Sequence, residues 1–407
     1  MPSASAGIHF ALITVAIDAM GVGIIFPVMP DLLLSMGQDS VADAALWGGV
    51  LATIYALMQF LFSPVIGNLS DRYGRRPVLL VAMAAMAVDY VVLTLAPTLA
   101  LLVIGRLIAG IAGATYAPAT AYIADVSAPQ DRAKNFGLVG AVFGVGFVLG
   151  PAIGGLVGEW HVRAPFAFAA LMAAANCAFG FFFMPESLPA DRRRTFEWQR
   201  ANPLGALTRA FRLPELRWLL AAYVLFSLGD HVYPVIWSYW TKLSFDWSVG
   251  MIGASLAVYG LVSAIVQGTL VGPSVRWFGD GNAIIIGLAL GVTSAVGFAF
   301  TSVPWVVFAF IPIAALSDLA MPAITSVLSA RVAETEQGEL QGMMASCTAF
   351  AAVVAPPFAT VAFYAATAPE ATAYFPGAPF ILAGIVILLA IPCAKYGLRR
   401  SDPGSAV

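Results

Sequence analysis

Twelve apolar stretches, each long enough to cross a bilayer, leave this chain few folds to choose from. Their approximate bounds are 8–30, 45–66, 77–96, 98–125, 135–158, 164–184, 215–242, 248–271, 281–301, 303–330, 340–366 and 375–396. At about 1.5 Å of rise per residue, about 20 helical residues cross a hydrocarbon core of about 30 Å. A backbone in lipid has to satisfy its own hydrogen bonds, so runs of this length become helices. Composition agrees: 60% of the 407 residues are hydrophobic and 10% charged, against about 25% charged in soluble domains. The expected fold class is an all-α membrane protein with twelve transmembrane helices in two six-helix bundles.

An even number of spans puts both termini on one side, and the basic residues say which. That side receives Arg72, Arg75, Arg76, Arg132, Lys134, the linker arginines, Arg276, Arg331, Lys395, Arg399 and Arg400; the other receives Arg163 and Lys242. Such asymmetry places both termini in the cytoplasm. The start of the chain lacks a basic n-region, and its first apolar run continues to about Met29, which argues for an uncleaved helix. The long hydrophilic break near 185–214 divides the chain into an N-terminal bundle (1–188), a cytoplasmic linker (189–213), a C-terminal bundle (214–400) and a tail (401–407). Cys177, Cys347 and Cys393 lie in separate apolar runs with no metal-ligand spacing, as small core residues do.

A repeat supports the division. Gly67, Gly74, Gly137 and Pro151 recur as Gly272, Gly279, Gly342 and Pro356, all at an offset of 205. Repeated bundles of this kind are related by an axis along the membrane normal and carry substrate near the midplane.

Charges inside the apolar runs are the candidate chemistry. Asp18 lies mid-segment, where a bare carboxylate costs about 2.5–3.5 kcal/mol on insertion scales. It is either a proton carrier facing a wet interior or a structural acid paired with another helix. Arg106 in the fourth segment needs an anion or backbone carbonyls, and Asp18 is its expected partner if the first and fourth helices pack. Asp89 in the third segment suits a structural pair or a coupling role equally. The second half offers Asp230-His231 and Asp318. Asp318 precedes Pro322 by one turn, where a kink frees backbone groups and makes a polar pocket. His231 beside a carboxylate either relays protons or donates a hydrogen bond to a neighbouring helix. Polar and aromatic candidates for binding a flat organic ligand are Gln59, Tyr116, Tyr233, Trp237, Tyr239, Trp240, Tyr259 and Gln267, of which about half are expected to line a cavity and the rest to face lipid or form belts.

Two local patterns carry more than topology. The connection Gly67-Asn68-Leu69-Ser70-Asp71-Arg72-Tyr73-Gly74-Arg75-Arg76-Pro77 packs four charges between two spans; Gly67 and Gly74 suit tight turns, and Asp71 can pair with Arg75. The fifth segment carries Gly140, Gly144, Gly150, Pro151, Gly154 and Gly155, small residues at spacings that let helices approach closely. The connection resembles the loop between helices 2 and 3 of the major facilitator superfamily. The run Gly150-Pro151-x-x-Gly154-Gly155 looks like the helix 5 signature of its proton-driven antiporters, and Arg106 with Gly110 like their helix 4 motif.

Over about the first 185 residues the resemblance narrows to the tetracycline–proton antiporters, through Asp18-Ala19-Met20-Gly21, Pro27, Pro30, Tyr55–Gln59, Asp89-Tyr90 and Arg106. It implies the major facilitator fold, and proton-coupled efflux of a small organic compound by alternating access. Roles in exchange would fall on Asp18, Asp71, Arg75, Asp89 and Arg106, with Gly67, Arg72, Gly74 and Arg76 completing a cytoplasmic gate. The second half departs: where the well-known members carry a histidine in helix 8 and an acid in helix 9, Ser263 and Gly291 align here, and Asp230, His231 and Asp318 are present instead. The implied partners are a small-molecule drug, protons and the lipid bilayer, with no nucleic acid and no obligatory protein partner. No resident cofactor is expected, although a tetracycline-like substrate can arrive as a divalent-metal chelate. The expected location is the bacterial cytoplasmic (inner) membrane. A nutrient importer of the same fold and a non-transporting receptor are the alternatives. An enzyme is not expected, because HExxH, G-x-S-x-G and Walker patterns are absent from the sequence.

Overall fold

Alanine, leucine, valine and phenylalanine fill the apolar runs, and with backbone bonds closed internally they wind into helices. The structure, a computed structural model, describes residues 4–197 and 213–399. Residues 198–212 of the expected linker and the tail 401–407 lie outside the described residues. Among the described residues, twelve spans are long and apolar enough to cross a membrane. In the first half they are α1 (Ala4–Ser35), α2 (Val41–Tyr73), α3 (Arg75–Leu95), the pair α4 (Leu99–Ala112) and α5 (Tyr116–Val126), α6 (Arg132–Gly158) and α7 (Ala164–Phe183). In the second half they are α8 (Arg217–Asp230) with α9 (Val232–Phe245), α10 (Val249–Thr269), α11 (Val271–Phe300), α12 (Pro304–Ser317) with α13 (Ala320–Ser329), α14 (Gln337–Thr367) and α15 (Ala378–Arg399).

Three spans are broken, and each break has the same cause. Pro118, Pro234 and Pro322 are the third residues of α5, α9 and α13. A proline has no N–H to offer the carbonyl four residues earlier, and its ring crowds that carbonyl. The freed positions are Ala114, Asp230 and Asp318. Pro27, Pro30, Pro64, Pro151, Pro356 and Pro357 sit inside uninterrupted helices, so the break also depends on what receives the freed groups.

Contacts divide the described chain into two compact units. One takes residues 4–38, 54–197 and 247–257; the other takes 39–53, 213–246 and 258–399. The units differ from the chain halves at two places: the start of α2 belongs to the second unit and the start of α10 to the first. Within the first unit α1 packs on α6 and α7, and α3 on α4 and α7; within the second, α8 packs on α14 and α15, and α11 on α12 and α15. These are the same pairings taken 205 residues apart. Gly74 and Gly279, at that offset, have φ +103° and +76°. Each lets the chain reverse at one residue, a conformation only glycine adopts without strain.

Gly67 departs from its expectation. It lies within α2, which continues to Tyr73, so the reversal is confined to Gly74. In α6, Gly150 and Gly154 let the α1 backbone approach, since a Cβ on Gly154 would stand 2.6 Å from the Ile24 carbonyl oxygen. Gly155 does the same for the start of α10, against Gly253 and Val249 of the first unit. Gly140 and Gly144 meet nothing within 4 Å among the described residues.

Candidate functional site

In the first unit the buried charges close on each other. Arg106 of α4 donates from Nη2 to Asp89 Oδ2 of α3, with both side chains almost wholly buried. The guanidinium also stands over the Tyr55 ring at 5.7 Å from its centre. Gly105 makes room, because a Cβ there would sit 2.7 Å from Asp89 Oδ1. The expected Asp18–Arg106 pair is therefore wrong: the arginine's acid comes from the adjacent antiparallel span. Asp18 instead accepts a hydrogen bond at 3.3 Å from Thr115, beside the α4–α5 break.

The gate residues are drawn together more extensively than the connection alone implied. Arg75 donates to Asp71 at 2.5 Å, to Ser70 Oγ at 2.7 Å and to Asp125 of α5 at 3.3 Å. Its backbone N–H reaches Glu186 at 2.8 Å, and Ser187 joins Asp125 at 3.1 Å. Arg76 donates to the Phe181 carbonyl at 2.6 Å, and Arg72 lies over the Tyr73 ring. Asp125, Glu186 and Ser187 were not foreseen. They stand at span ends far along the chain, and the clue was that each carries a polar group beside a boundary on the side of Arg75.

The second unit arranges its charges otherwise. Asp318, in the α12–α13 break, accepts from Ser263 Oγ at 2.6 Å and from the Tyr259 hydroxyl at 3.3 Å. Gln267 donates to Ser263 Oγ at 3.1 Å. Asp230, at the α8–α9 break, lines a small, water-sized cavity with Tyr233, Tyr259, Ser317 and Phe226. Of the two roles open to His231, its Nδ1 takes neither: it bonds the Ser227 carbonyl of its own span at 2.8 Å. Gly291, which aligns with an acid of the resembled family, lies against Ser317 and Ile387 at the same cavity.

The two units tie their broken spans alike. Gln59 of α2 donates to the Gly113 carbonyl at 2.9 Å, with the Tyr55 hydroxyl alongside, just as Ser263 and Tyr259 of α10 reach Asp318. Gly113 and Asp318 are 205 residues apart, so the second unit has a carboxylate where the first has a bare backbone.

Of the expected ligand-binding residues, Tyr233 and Tyr259 line the cavity, whereas Gln59 and Gln267 are engaged in the ties just described. Trp237 is a correction. It is 5% exposed and packs edge to face on Phe298 at 5.1 Å, within a cluster that includes Trp240 and Phe380. Tyr239 and Trp240 are buried too, so this aromatic group is core. The Tyr116 side chain lies outside the described residues.

Comparison with known proteins agrees with this fold. The profile of the Major Facilitator Superfamily matches residues 11–356 and 222–406. The class C tetracycline resistance protein of Escherichia coli is 39% identical, over 94% of this chain and 95% of that one. The class G tetracycline resistance protein of Vibrio anguillarum is 36% identical, over 96% and 98%. Among solved structures, a bacterial homologue of the human lysosomal transporter Spinster superimposes with TM-score 0.80 at 15% identity, over 97% of each chain. The human organic anion transporter MFSD10 does so with TM-score 0.71 at 23% identity, over 97% of this chain and all of that one, and both likenesses concern the fold. The chain belongs to the Major Facilitator Superfamily and, within it, stands with the tetracycline resistance proteins.

Proposed function

We propose that this protein exports a tetracycline-like or other amphipathic drug from the bacterial cytoplasm in exchange for protons, by alternating access. The similarity to tetracycline resistance proteins over nearly the whole chain carries this reading. The half-buried acids support the coupling: Asp18, Asp230 and Asp318 each sit in a membrane span without an arginine or lysine partner among the described ion pairs. Such residues in lipid mark proton or substrate paths by default. Each unit of pH gradient supplies about 1.4 kcal/mol, and 100 mV adds about 2.3 kcal/mol per charge moved. One proton therefore drives an appreciable gradient of a neutral drug.

The remaining groups take supporting roles. Asp71, Arg75 and Asp125 act as a latch at the cytoplasmic ends of α2, α3 and α5. Asp89 and Arg106 hold α3 to α4 while Asp18 exchanges its proton. The likeness to bacterial tetracycline resistance proteins supports a place in the cytoplasmic membrane, and the basic-residue asymmetry supports both termini inside. Substrate, protons and lipid suffice as partners, no reaction is catalysed, and a divalent ion enters only as a chelate of the substrate where that substrate is tetracycline-like.

The test is proton release on drug addition, using purified protein in weakly buffered detergent and a panel that includes tetracycline. Release by wild type, lost in Asp18→Asn or Asp230→Asn, is the expected result. Saturable drug binding with no release by wild type would end the antiporter reading.

A further inference from the structure

The second unit gathers cations at the end where α8 begins and α15 finishes. Arg217 opens α8, Lys395 and Arg399 lie in the last turns of α15, and all three are exposed. None of them forms an ion pair among the described residues. Aromatic packing draws them to one place. The Arg217 guanidinium stands over the Trp218 ring at 5.6 Å, and that ring meets Tyr396 edge to face at 5.0 Å. Tyr396 follows Lys395 directly, and Arg399 lies four residues after Lys395, on the same face of the helix. Arg331 fixes the frame, donating to the Glu215 carbonyl at 3.1 Å and to the Gly397 carbonyl at 3.0 Å. The first unit spends its basic residues differently. Arg75 is taken up by Asp71 and Asp125, and Arg76 by the Phe181 carbonyl.

The face of α15 that ends in these cations is apolar before them. Ile385, Leu388, Leu389 and Pro392 recur at helical spacing, each exposed, and lead to Lys395 and Arg399. The ten residues from Ile385 to Lys395 rise about 15 Å, half of a hydrocarbon core of about 30 Å. The stripe is therefore one leaflet deep, with its charges at headgroup level. Trp218 and Tyr396 stand where aromatic side chains settle at a membrane interface. Two arginines and a lysine around one spot suit a phosphate, which guanidinium forks bind bidentately. A zwitterionic headgroup brings its own cation to such a place, whereas an anionic one complements it.

We propose that this rim binds one anionic phospholipid of the adjoining leaflet. Arg217, Lys395 and Arg399 hold its phosphate, and an acyl chain lies along the apolar face at 385–392. On the topology given under the proposed function that leaflet is the cytoplasmic one, and only the name of the leaflet rests on that reading.

The experiment titrates full-length protein in neutral detergent with dioleoylphosphatidylglycerol, read by native mass spectrometry, with dioleoylphosphatidylcholine as the reference lipid. Wild type is compared with the pair Lys395→Gln, Arg399→Gln, with the triple variant that adds Arg217→Gln, and with Arg132→Gln, Lys134→Gln from the first unit. Tighter binding of the anionic lipid by wild type is expected, weakened about fivefold for each cation removed from the rim. The first-unit variant should keep the wild-type preference, and added salt should narrow it. The pair variant leaves Arg217 on Trp218, so it carries the test if the triple variant does not fold. Equal affinity for the two lipids in wild type would overturn the proposal. So would a preference that survives loss of the rim cations, or one that the first-unit variant loses to the same extent. Competition by inorganic phosphate as effective as by the lipid would remove the acyl chain from the account and overturn a lipid site. No drug, proton gradient or membrane orientation enters the measurement, so this proposal and the antiporter reading fail separately.

Discussion

Among the described residues, the first unit pairs one of its span acids, Asp89, with a cation, and the second pairs neither Asp230 nor Asp318. Asp89 is wholly buried against Arg106, with Tyr55 under the guanidinium. Asp318 is bonded by the hydroxyls of Ser263 and Tyr259, and neither it nor Asp230 forms an ion pair among the described residues. Yet the scaffolds around them repeat, down to a tyrosine and a polar residue of α2 or α10 tied to a broken span. The same architecture therefore serves two electrostatic purposes. A closed ion pair keeps its charge and braces two helices; an acid with no cation beside it can change its charge. The contrast is sharpest in what a single substitution leaves behind.

Arg106→Ala strands a buried carboxylate and should cost about 3–5 kcal/mol of stability. Asp318→Asn removes a charge that had no cation and keeps the shape and the acceptor for Ser263, so it should change stability by about 1 kcal/mol in either direction. Thermal unfolding of both variants in detergent, followed by intrinsic tryptophan fluorescence, measures the difference. Losses of similar size would mean that Asp318 is a structural anchor like Asp89, and the contrast between the units would fall.

Much of this frame was legible beforehand, and one error is instructive. Hydropathy located the twelve spans because every residue in lipid is judged by one criterion. The offset of 205 carried over to backbone geometry at Gly74 and Gly279. The partner of Arg106 was misread, although the numbers held the answer. Asp89 lies six residues before the end of α3, and Arg106 seven after the start of α4. At about 1.5 Å per residue the two sit at one depth on antiparallel neighbours. Helix faces were the harder problem, since alanine and glycine crowd every side of these spans. Trp237 shows the consequence: its aromatic character pointed to a ligand, and packing against Phe298 and Phe380 placed it in the core. The prolines behind Asp230 and Ala114 were also visible, but only Pro322 had been linked to a break, because uninterrupted helices elsewhere hold prolines too.

The two reversals offer a finer comparison. Gly74 and Gly279 share a backbone conformation in which any other residue costs about 1–3 kcal/mol. A Cβ on Gly279 meets nothing within 4 Å, whereas one on Gly74 would stand 2.8 Å from the Glu186 carboxyl carbon. That carboxylate also caps the Arg75 N–H. Gly74→Ala should therefore lose about 1 kcal/mol more than Gly279→Ala, read from the same unfolding curves. Equal losses would show that Glu186 moves aside freely and that the gate network contributes no rigidity.

The smallest expected effect lies outside the membrane, at Glu159 after α6. Its carboxylate accepts from the Gly250 N–H at 2.7 Å, at the start of α10, where the helix dipole favours an anion. The Ser248 side chain and then that backbone bond hold its pKa below the usual glutamate range. The second half has Tyr364 at the corresponding register, so it lacks this tie. A folded value below the unfolded one, about 4.3, makes the sign definite. The contribution is full at every pH above the unfolded value and is lost as pH falls through the folded value. Glu159→Gln should thus melt slightly earlier than wild type at neutral pH, and the gap should close on acidification below about pH 4. A gap that stayed constant with pH would assign the effect to the shape of the side chain and remove charge from the account of how α6 holds α10.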